Sequence, residues 1–243
     1  MPLSLTVSTP YVTIGSKAVF SAQGGVAPYT YSIKSGDGSI DSGGVFTATA
    51  NDIGETVIKV VDSSGAIKTQ SIKIVTFLHL IAHILKYEMG LSSDQVYIYN
   101  QKLFIPKDER IYISIGLESS KIIGAKSKFD NGVESRAVSN FNTIKIDLFS
   151  KSIDALIRKD EVIASLGGIF SQNVQTANSF RISTVPQSVT NLSQVDGTAI
   201  PFRFNLTFGV YNLSLSYKDV EYFDSVDIGF SSKDGDNAIM ETE

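Results

Sequence analysis

The chain has 243 residues, of which 42% are hydrophobic and 19% are charged, and its formal net charge is -4. This balance predicts a globular protein with room for one large domain or two ordinary ones, and it argues against a disordered chain. The chain contains no cysteine, which excludes disulfide bonds, thiolate metal sites and cysteine catalysis. The net charge gives no general reason to expect nucleic-acid binding.

Residues 1–75 alternate apolar and polar side chains in short segments that are separated by glycine and proline. The pattern predicts an all-β sandwich of about seven strands. The predicted strands cover residues 3–7, 11–14, 18–22, 29–33, 45–48, 56–61 and 69–75. With five basic and five acidic residues, this segment is neutral, and we expect a display or accessory module rather than a catalyst.

The runs GGVAPYTYSI (24–33), GGVFTA (43–48) and VVDSSG (60–65) resemble the bacterial Ig-like repeats of surface and phage structural proteins. Antibody domains differ because they carry a cysteine pair and a tryptophan, and this chain has neither. We therefore expect Tyr31 and Phe46 to anchor the core of the module.

The pattern changes near Thr76. Apolar residues at 77, 80, 81, 84 and 85 recur at helical spacing, and Gly90 supplies a helix stop. Strands are predicted at 95–100, 110–117 and 119–129, with a turn at 130–132 and a return through 133–138 to a strand at 141–149.

A second helix is predicted after Ser150 and Ser152, which are candidate N-caps, and Gly167-Gly168 ends it. Its predicted apolar face consists of Ile153, Leu156, Ile157, Ile163 and Leu166. A short helix at 169–178 and strands at 180–182 and 201–208 follow. Residues 76–243 are thus predicted to form an α+β domain with helices on a mostly antiparallel sheet, and with a polar, acidic tail from about residue 231.

This order of elements, together with the run IDLFSKSIDAL…EVIASL…VPQSV…RFNLTF, resembles the tail-terminator and neck proteins of tailed bacteriophages over residues 76–223. The resemblance implies a virion structural protein, assembled in the host cytoplasm, that forms a hexameric ring at the head–tail junction. Such a ring caps the tail tube and joins it to the head connector. The implied partners are other copies of the chain, the tube protein, the connector and neck proteins, and the sheath as a further candidate. Neither a cofactor nor a membrane is implied, and DNA meets the ring only in passing through its lumen.

Charge is distributed unevenly within this second domain. Residues 102–159 contain eleven basic and seven acidic residues, whereas residues 160–243 contain four basic and eleven acidic ones. Complementary blocks of this kind suit a head-to-tail interface between copies of one chain. The segment 116–136, interpreted as a loop, is the expected contact with the tube or lumen. The candidate assembly contacts are Lys121, Lys126, Lys128, Arg136, Asp160 and Glu161.

Residues that could carry chemistry are sparse. His79 and His83 share a helix face, but the glutamate of a zinc-protease motif is replaced by Leu80, and no third ligand is indicated. We therefore predict no metal, cofactor or catalytic site and no enzymatic activity. The acidic fragment at 234–237 lacks the spacing of a calcium loop.

A second class of function remains open. A carbohydrate- or receptor-binding adhesin would use the Ig-like module to support a β-rich binding domain. Tyrosines that could stack on sugars occur at positions 97, 99, 112, 211, 217 and 222.

Overall fold

The computed structural model describes residues 1–49, 53–98, 108–130, 133–183, 188–193 and 202–219. The chain begins with two four-stranded sheets, ordered β1-β3-β6-β5 and β2-β8-β7-β4. Their strands are β1 (Ser4–Val7), β2 (Tyr11–Val12), β3 (Lys17–Gln23), β4 (Thr30–Ser35), β5 (Ser39–Ile40), β6 (Val45–Thr47), β7 (Gly54–Val61) and β8 (Ile67–Ile74). Each of the seven predicted strands corresponds to one of these, and β5 is the strand that the sequence pattern did not indicate.

The two sheets enclose a core of their own. Phe20 and Phe46 are fully buried and their rings meet edge to face at 6.3 Å. Tyr31 lies at the border of this core, where its hydroxyl accepts a hydrogen bond from the N–H of Ala22 at 3.0 Å. Phe46 anchors the core as expected, but its main partner is Phe20 rather than Tyr31.

The second part starts with helix α1 (Phe77–Met89), which ends at Gly90 in the left-handed conformation, φ 64°. A six-stranded sheet follows. Its main path is β12-β14-β11-β10-β9, and β13 pairs with β14. The bounds are β9 (Val96–Ile98), β10 (Tyr112–Asp130), β11 (Val133–Ser150), β12 (Phe180–Ile182), β13 (Thr190–Asn191) and β14 (Phe202–Asp219). Only the short β9–β10 pairing is parallel within this described sheet, so the sheet is mostly antiparallel.

Helices α2 (Asp154–Gly167) and α3 (Ile169–Ala177) complete the described elements. Alternate residues of three strands and the inner faces of α1 and α2 form the main core of this part. The strand residues are Ile113 and Ile115 on β10, Ile144, Ile146 and Leu148 on β11, and Phe204, Leu206, Phe208 and Val210 on β14. The helices therefore cover one face of the sheet, which we call the helix face.

The predicted apolar face of α2 is wrong in the first turns of the helix. Leu156 and Ile157 are 41% and 66% exposed, whereas Ala155 and Val162 are fully buried. The small side chain of Ala155 allows α2 to approach its neighbours closely. With Ala155 on the buried side of the helix, the larger residues Leu156 and Ile157 are turned towards solvent. The N-cap residue of α2 is Ile153, which makes no side-chain cap hydrogen bond, so neither Ser150 nor Ser152 is the N-cap that the sequence predicted. The hydroxyl of Ser152 accepts a hydrogen bond from the N–H of Asp154 at 3.2 Å in the turn that precedes the helix.

The first two sheets contact the rest of the protein through β2 and the residues that follow it. Thr13 donates its N–H to Oδ1 of Asn178 at 3.0 Å and its hydroxyl to the carbonyl oxygen of Asn178 at 2.9 Å. The ring of Tyr11 meets that of His83 edge to face at 4.9 Å. These contacts join the N-terminal sheets to α1 and to the end of α3.

Candidate interaction surface

Three long strands continue beyond the helices as an arm. We define the arm as residues 119–130 of β10, 133–143 of β11 and 209–219 of β14, which pair continuously in antiparallel register. Residues 117–130 of β10 are all exposed. The segment predicted as a loop at 116–136 is thus part of β10 and β11, and its turn residues 131 and 132 lie outside the described residues.

Two irregularities in β10 decide which way its side chains point. The register against β11 shifts between Leu117 and Ser119 and again between Ile122 and Gly124. Each shift adds a residue and changes which positions of β10 share a face, as a β-bulge does. Lys121 and Lys126 are five positions apart and would lie on opposite faces of a regular strand. The second bulge places both on the same face.

We call this side of the sheet the basic face, and it lies opposite the helix face. The register puts Lys121, Lys126 and Lys128 on it, since they pair with the odd-numbered β11 residues Phe141, Ala137 and Ser135. Two further cations lie on the same side. Lys145 belongs to β11, and Arg181 of β12 pairs with Tyr211 of β14.

At its described positions the basic face holds few carboxylates: Asp130, Asp147 and, opposite Val133 at the end of β14, Asp219, while Glu118 is the extra residue of the first bulge. Asp130, at the tip, lies 3.5 Å from the amino group of Lys128. Asp147 is buried and accepts a hydrogen bond from Nδ2 of Asn205 at 3.0 Å, with Arg203 at 3.6 Å. Among the described residues, Lys121, Lys126, Lys145 and Arg181 have no ion-pair partner. The basic face therefore carries an excess of positive charge.

Two aromatic rings lie in the middle of the basic face. Phe141 and Tyr211 are cross-strand partners whose ring centroids are 4.9 Å apart. The ring of Phe141 lies over Gly209, where a Cβ atom would be only 2.6 Å from Cζ of Phe141. Tyr211 is 46% exposed. A recess beside it, at the start of β12, is lined by Arg181 and Leu213.

The other side of the arm continues the helix face and is polar. Asn142 and Asn140 each donate a hydrogen bond to the neighbouring strand, to Asn212 and Ser214. Arg136 also lies on this side, where it forms a 2.6 Å ion pair with Glu134. That contact lowers the pKa of Glu134 and raises the pKa of Arg136. Arg136 is thus separated from the three lysines.

Asp160 and Glu161 lie on α2, on the helix side of the sheet. Asp160 forms an ion pair with Lys159 at 2.9 Å, and Glu161 forms one with Arg158 at 2.7 Å. Of the six candidate assembly contacts, the structure brings three together, the lysines of β10. The sequence pattern did not predict this grouping, because the grouping depends on the second bulge of β10. Gly124 was the signal that could have indicated it, since an isolated glycine within a strand pattern suggests a bulge.

Apolar side chains are exposed along β10. Ile122 and Ile123 are 67% and 55% exposed, and Leu117 is 47% exposed. Beyond Ile115, no described strand pairs with the outer edge of β10. Backbone N–H and C=O groups of an unpaired edge are a template for another strand, so exposed apolar residues beside it mark a contact surface.

The two histidines are part of the packing around α1. His79 shares a 2.8 Å hydrogen bond with the hydroxyl of Thr76, and His83 lies between the rings of Tyr11 and Phe170. Burial lowers the pKa of both histidines, and the nearby charge of Lys86 lowers them further. Within the described ranges, no three acidic or histidine side chains are grouped in a way that could hold a metal ion.

A carboxylate cluster at the start of β10 is organised by Arg110, which the sequence reading did not single out. Its guanidinium binds Asp94 at 2.9 Å and Asp108 at 2.8 Å, and it lies over the ring of Tyr112. A hydrogen bond from Ser92, with a further one from Arg110, lowers the pKa of Asp94. Hydrogen bonds from Arg110 and Tyr112 lower the pKa of Asp108. By binding both carboxylates, Arg110 holds the residues that precede β10 against the segment before β9.

No protein-family model matches this sequence, and a search of curated proteins gave no significant match. In the described part of the chain, no helix is both long enough and apolar enough to cross a membrane.

Proposed function

We propose that this chain is a structural subunit of a bacteriophage virion that assembles as a ring at the head–tail junction. In this proposal the ring caps the tail tube and joins it to the head connector, and the N-terminal sandwich is an Ig-like accessory module. The partners are other copies of the chain, six to a ring, the tube protein, and the connector and neck proteins, with the sheath as a further candidate. The tail-terminator-like run between residues 146 and 208 supports this assignment.

The observation that carries the proposal is the arm. Its β10 strand extends well past the helices with no described partner on its outer edge, and it exposes Ile122 and Ile123. A monomer that kept such an edge would be prone to pair with other chains. Pairing in a closed assembly removes the exposed edge, and apolar burial then supplies most of the association free energy.

Replacing Ile122 with Glu tests the role of the arm. The added charge would be buried in a strand-to-strand contact, so we expect the variant to lose ring assembly while the subunit stays folded. Ile67→Glu is the matched control, because Ile67 is also exposed, at 57%, but lies in the N-terminal sandwich. Native mass spectrometry with and without purified tail tubes measures assembly. Equal assembly by both variants would contradict a role for β10.

Electron microscopy of virions tests the location. Gold-labelled antibody against the chain should bind at the head–tail junction. Labelling of a fibre at the tail tip would favour the adhesin instead. Of the tyrosines named for the adhesin, Tyr112 is 4% exposed and packs between Tyr97 and Phe149, whereas Tyr211 is 46% exposed. Tyr99 and Tyr222 lie outside the described residues. A single exposed tyrosine does not form the stacking platform that an adhesin would need.

A further inference from the structure

We infer that the basic face of the arm is a binding surface for single-stranded nucleic acid. This inference goes beyond the proposed ring and does not depend on it. It rests on the chemistry that one side of the sheet brings together: an excess of cations, an exposed aromatic ring and a recess beside that ring.

The cations are arranged along an extended path. Three lysines follow β10 on one side of the arm, and by strand geometry Lys121 and Lys128 are roughly 20 Å apart. Lys145 and Arg181 extend the positive surface towards the body of the domain and across to β12. A chain of phosphates is the extended anion that such a row can neutralise along its length.

The aromatic pair distinguishes this surface from a simple patch of lysines. Tyr211 is 46% exposed and packs beside Phe141 of the neighbouring strand, whose ring lies over Gly209. Lys121 and Arg181 lie at the two ends of the same row of paired residues, with Phe141 and Tyr211 between them. Bases stack on exposed aromatic rings while flanking cations bind the backbone, which is how sheet surfaces hold single strands.

A single strand fits better than a duplex or an acidic peptide. The bases of a duplex are stacked on each other and cannot reach Tyr211, whereas those of a single strand can. An acidic peptide would use the lysines but would gain no base stacking. Whole-chain charge conceals this site, because the net charge of -4 averages over the neutral sandwich and the acidic C-terminal half.

Fluorescence anisotropy with fluorescein-labelled oligo(dT) and oligo(U) tests the inference on the full chain at several salt concentrations. Labelled duplex DNA and poly-glutamate are the competing probes. Each phosphate contact on a single strand contributes roughly 0.7 to the slope of log K against log salt. The triple variant Lys121→Ala/Lys126→Ala/Lys128→Ala should therefore reduce that slope by about 2.

Two further variants separate stacking from charge. Tyr211→Leu should weaken oligonucleotide binding by about fivefold or more and leave the salt slope unchanged, whereas Tyr211→Phe should bind nearly as the wild type does. The triple variant Lys17→Ala/Lys34→Ala/Lys68→Ala removes the same charge from exposed positions of the N-terminal sandwich, and it should bind normally.

The inference fails if the full chain does not bind either oligonucleotide at low salt. It also fails if the two triple lysine variants lose affinity equally, or if duplex DNA binds more tightly than single strands. Poly-glutamate binding as tight as that of oligo(dT), insensitive to Tyr211→Leu, would identify an acidic protein as the ligand and overturn the assignment. Preference between oligo(dT) and oligo(U) would show whether the ligand is DNA or RNA.

Discussion

Gly209 shows how a single residue supports the surface of the arm. It sits on β14 beneath the ring of Phe141, and no other residue leaves room for that ring. A Cβ atom at this position would lie 2.5 Å from Oγ of Ser183 and 2.6 Å from Cζ of Phe141. The glycine is thus required for the close approach of side chains from two neighbouring strands, and not for an unusual backbone conformation.

We predict that Gly209→Ala lowers the free energy of unfolding by about 1–3 kcal/mol, because the added methyl forces Phe141 or Ser183 to move. Urea unfolding followed by circular dichroism measures the change. Gly124→Ala on β10 is the control, since a Cβ there would meet nothing within 4 Å. Equal changes in the two variants would show that the contact with Phe141 does not decide the outcome, because the entropic effect of Gly→Ala on the unfolded chain is common to both.

At the level of single elements, simple patterns located most of the structure. Alternation located seven strands of the sandwich, and the apolar spacing with a final glycine located α1. These signals are local, because each depends on neighbours within one strand or helix. The strands predicted at 110–117 and 119–129 are two parts of β10, and those at 133–138 and 141–149 are two parts of β11. Their continuity was not predicted, since their outer halves lie beyond the core and carry no regular apolar alternation.

The candidate site was predicted only in part, for a physical reason. The uneven distribution of charge in the sequence identified Lys121, Lys126 and Lys128 as candidates. They share a face only because a bulge in β10 reverses the side to which the following side chains point. Arg136 was named by the same reasoning and lies on the opposite face. The order of charged residues along a sequence does not show which face of the sheet each one occupies. Only charges on the same face can act together.

The orientation of α2 also depends on its neighbours and gives a second prediction. Ala155→Leu should lower the free energy of unfolding by about 1–3 kcal/mol, because Ala155 is fully buried where the helix packs closely. Ile157→Ala should change it by no more than about 0.5 kcal/mol, because Ile157 is 66% exposed. Thermal unfolding of both variants gives the comparison. A larger loss from Ile157→Ala would mean that the exposed apolar side of α2 is buried in an oligomer.

For the molecule as a whole, the N-terminal sandwich has both its own core and a defined contact with the second part. Its core residues all lie between residues 12 and 74, so we expect residues 1–75 to fold when expressed alone. The contact combines the two hydrogen bonds between Thr13 and Asn178 with the packing of Tyr11 on His83 and of Gly15 on Leu215 of β14. The core of the second part is nevertheless built almost entirely from residues after 76, so truncation to residues 76–243 should leave a folded, assembly-competent subunit.

Limited proteolysis and native mass spectrometry test this expectation. Asn178→Ala in the full chain should increase cleavage between the two parts, because it removes the acceptor for the Thr13 N–H. It should also lower the stability of the second part slightly, because the same side chain donates a hydrogen bond to the carbonyl oxygen of Val174 in α3. Thr13→Ser keeps both donors and is the control. An insoluble 76–243 fragment would show that the sandwich is needed for the second part to fold.

Acidic pH should lower the free energy of unfolding through protonation of His83, which lies where the sandwich meets α1 and α3. Burial between Tyr11 and Phe170, together with the charge of Lys86, lowers its pKa in the folded state. The unfolded chain then binds a proton near pH 6.5, where the folded protein does not. Stability attributable to this residue is therefore complete above about pH 6.5 and declines as the pH falls from there towards the folded pKa.

We predict that the thermal midpoint of the wild type is flat between pH 7 and pH 8 and falls between pH 6.5 and pH 5. His83→Phe should flatten much of that decline, because it keeps a ring against Tyr11 and Phe170 and cannot be protonated. Part of the decline should remain, since the pKa of His79 is lowered for the same reason. Differential scanning calorimetry at each pH gives the midpoints, and an unchanged decline in His83→Phe would place the acid sensitivity at other groups.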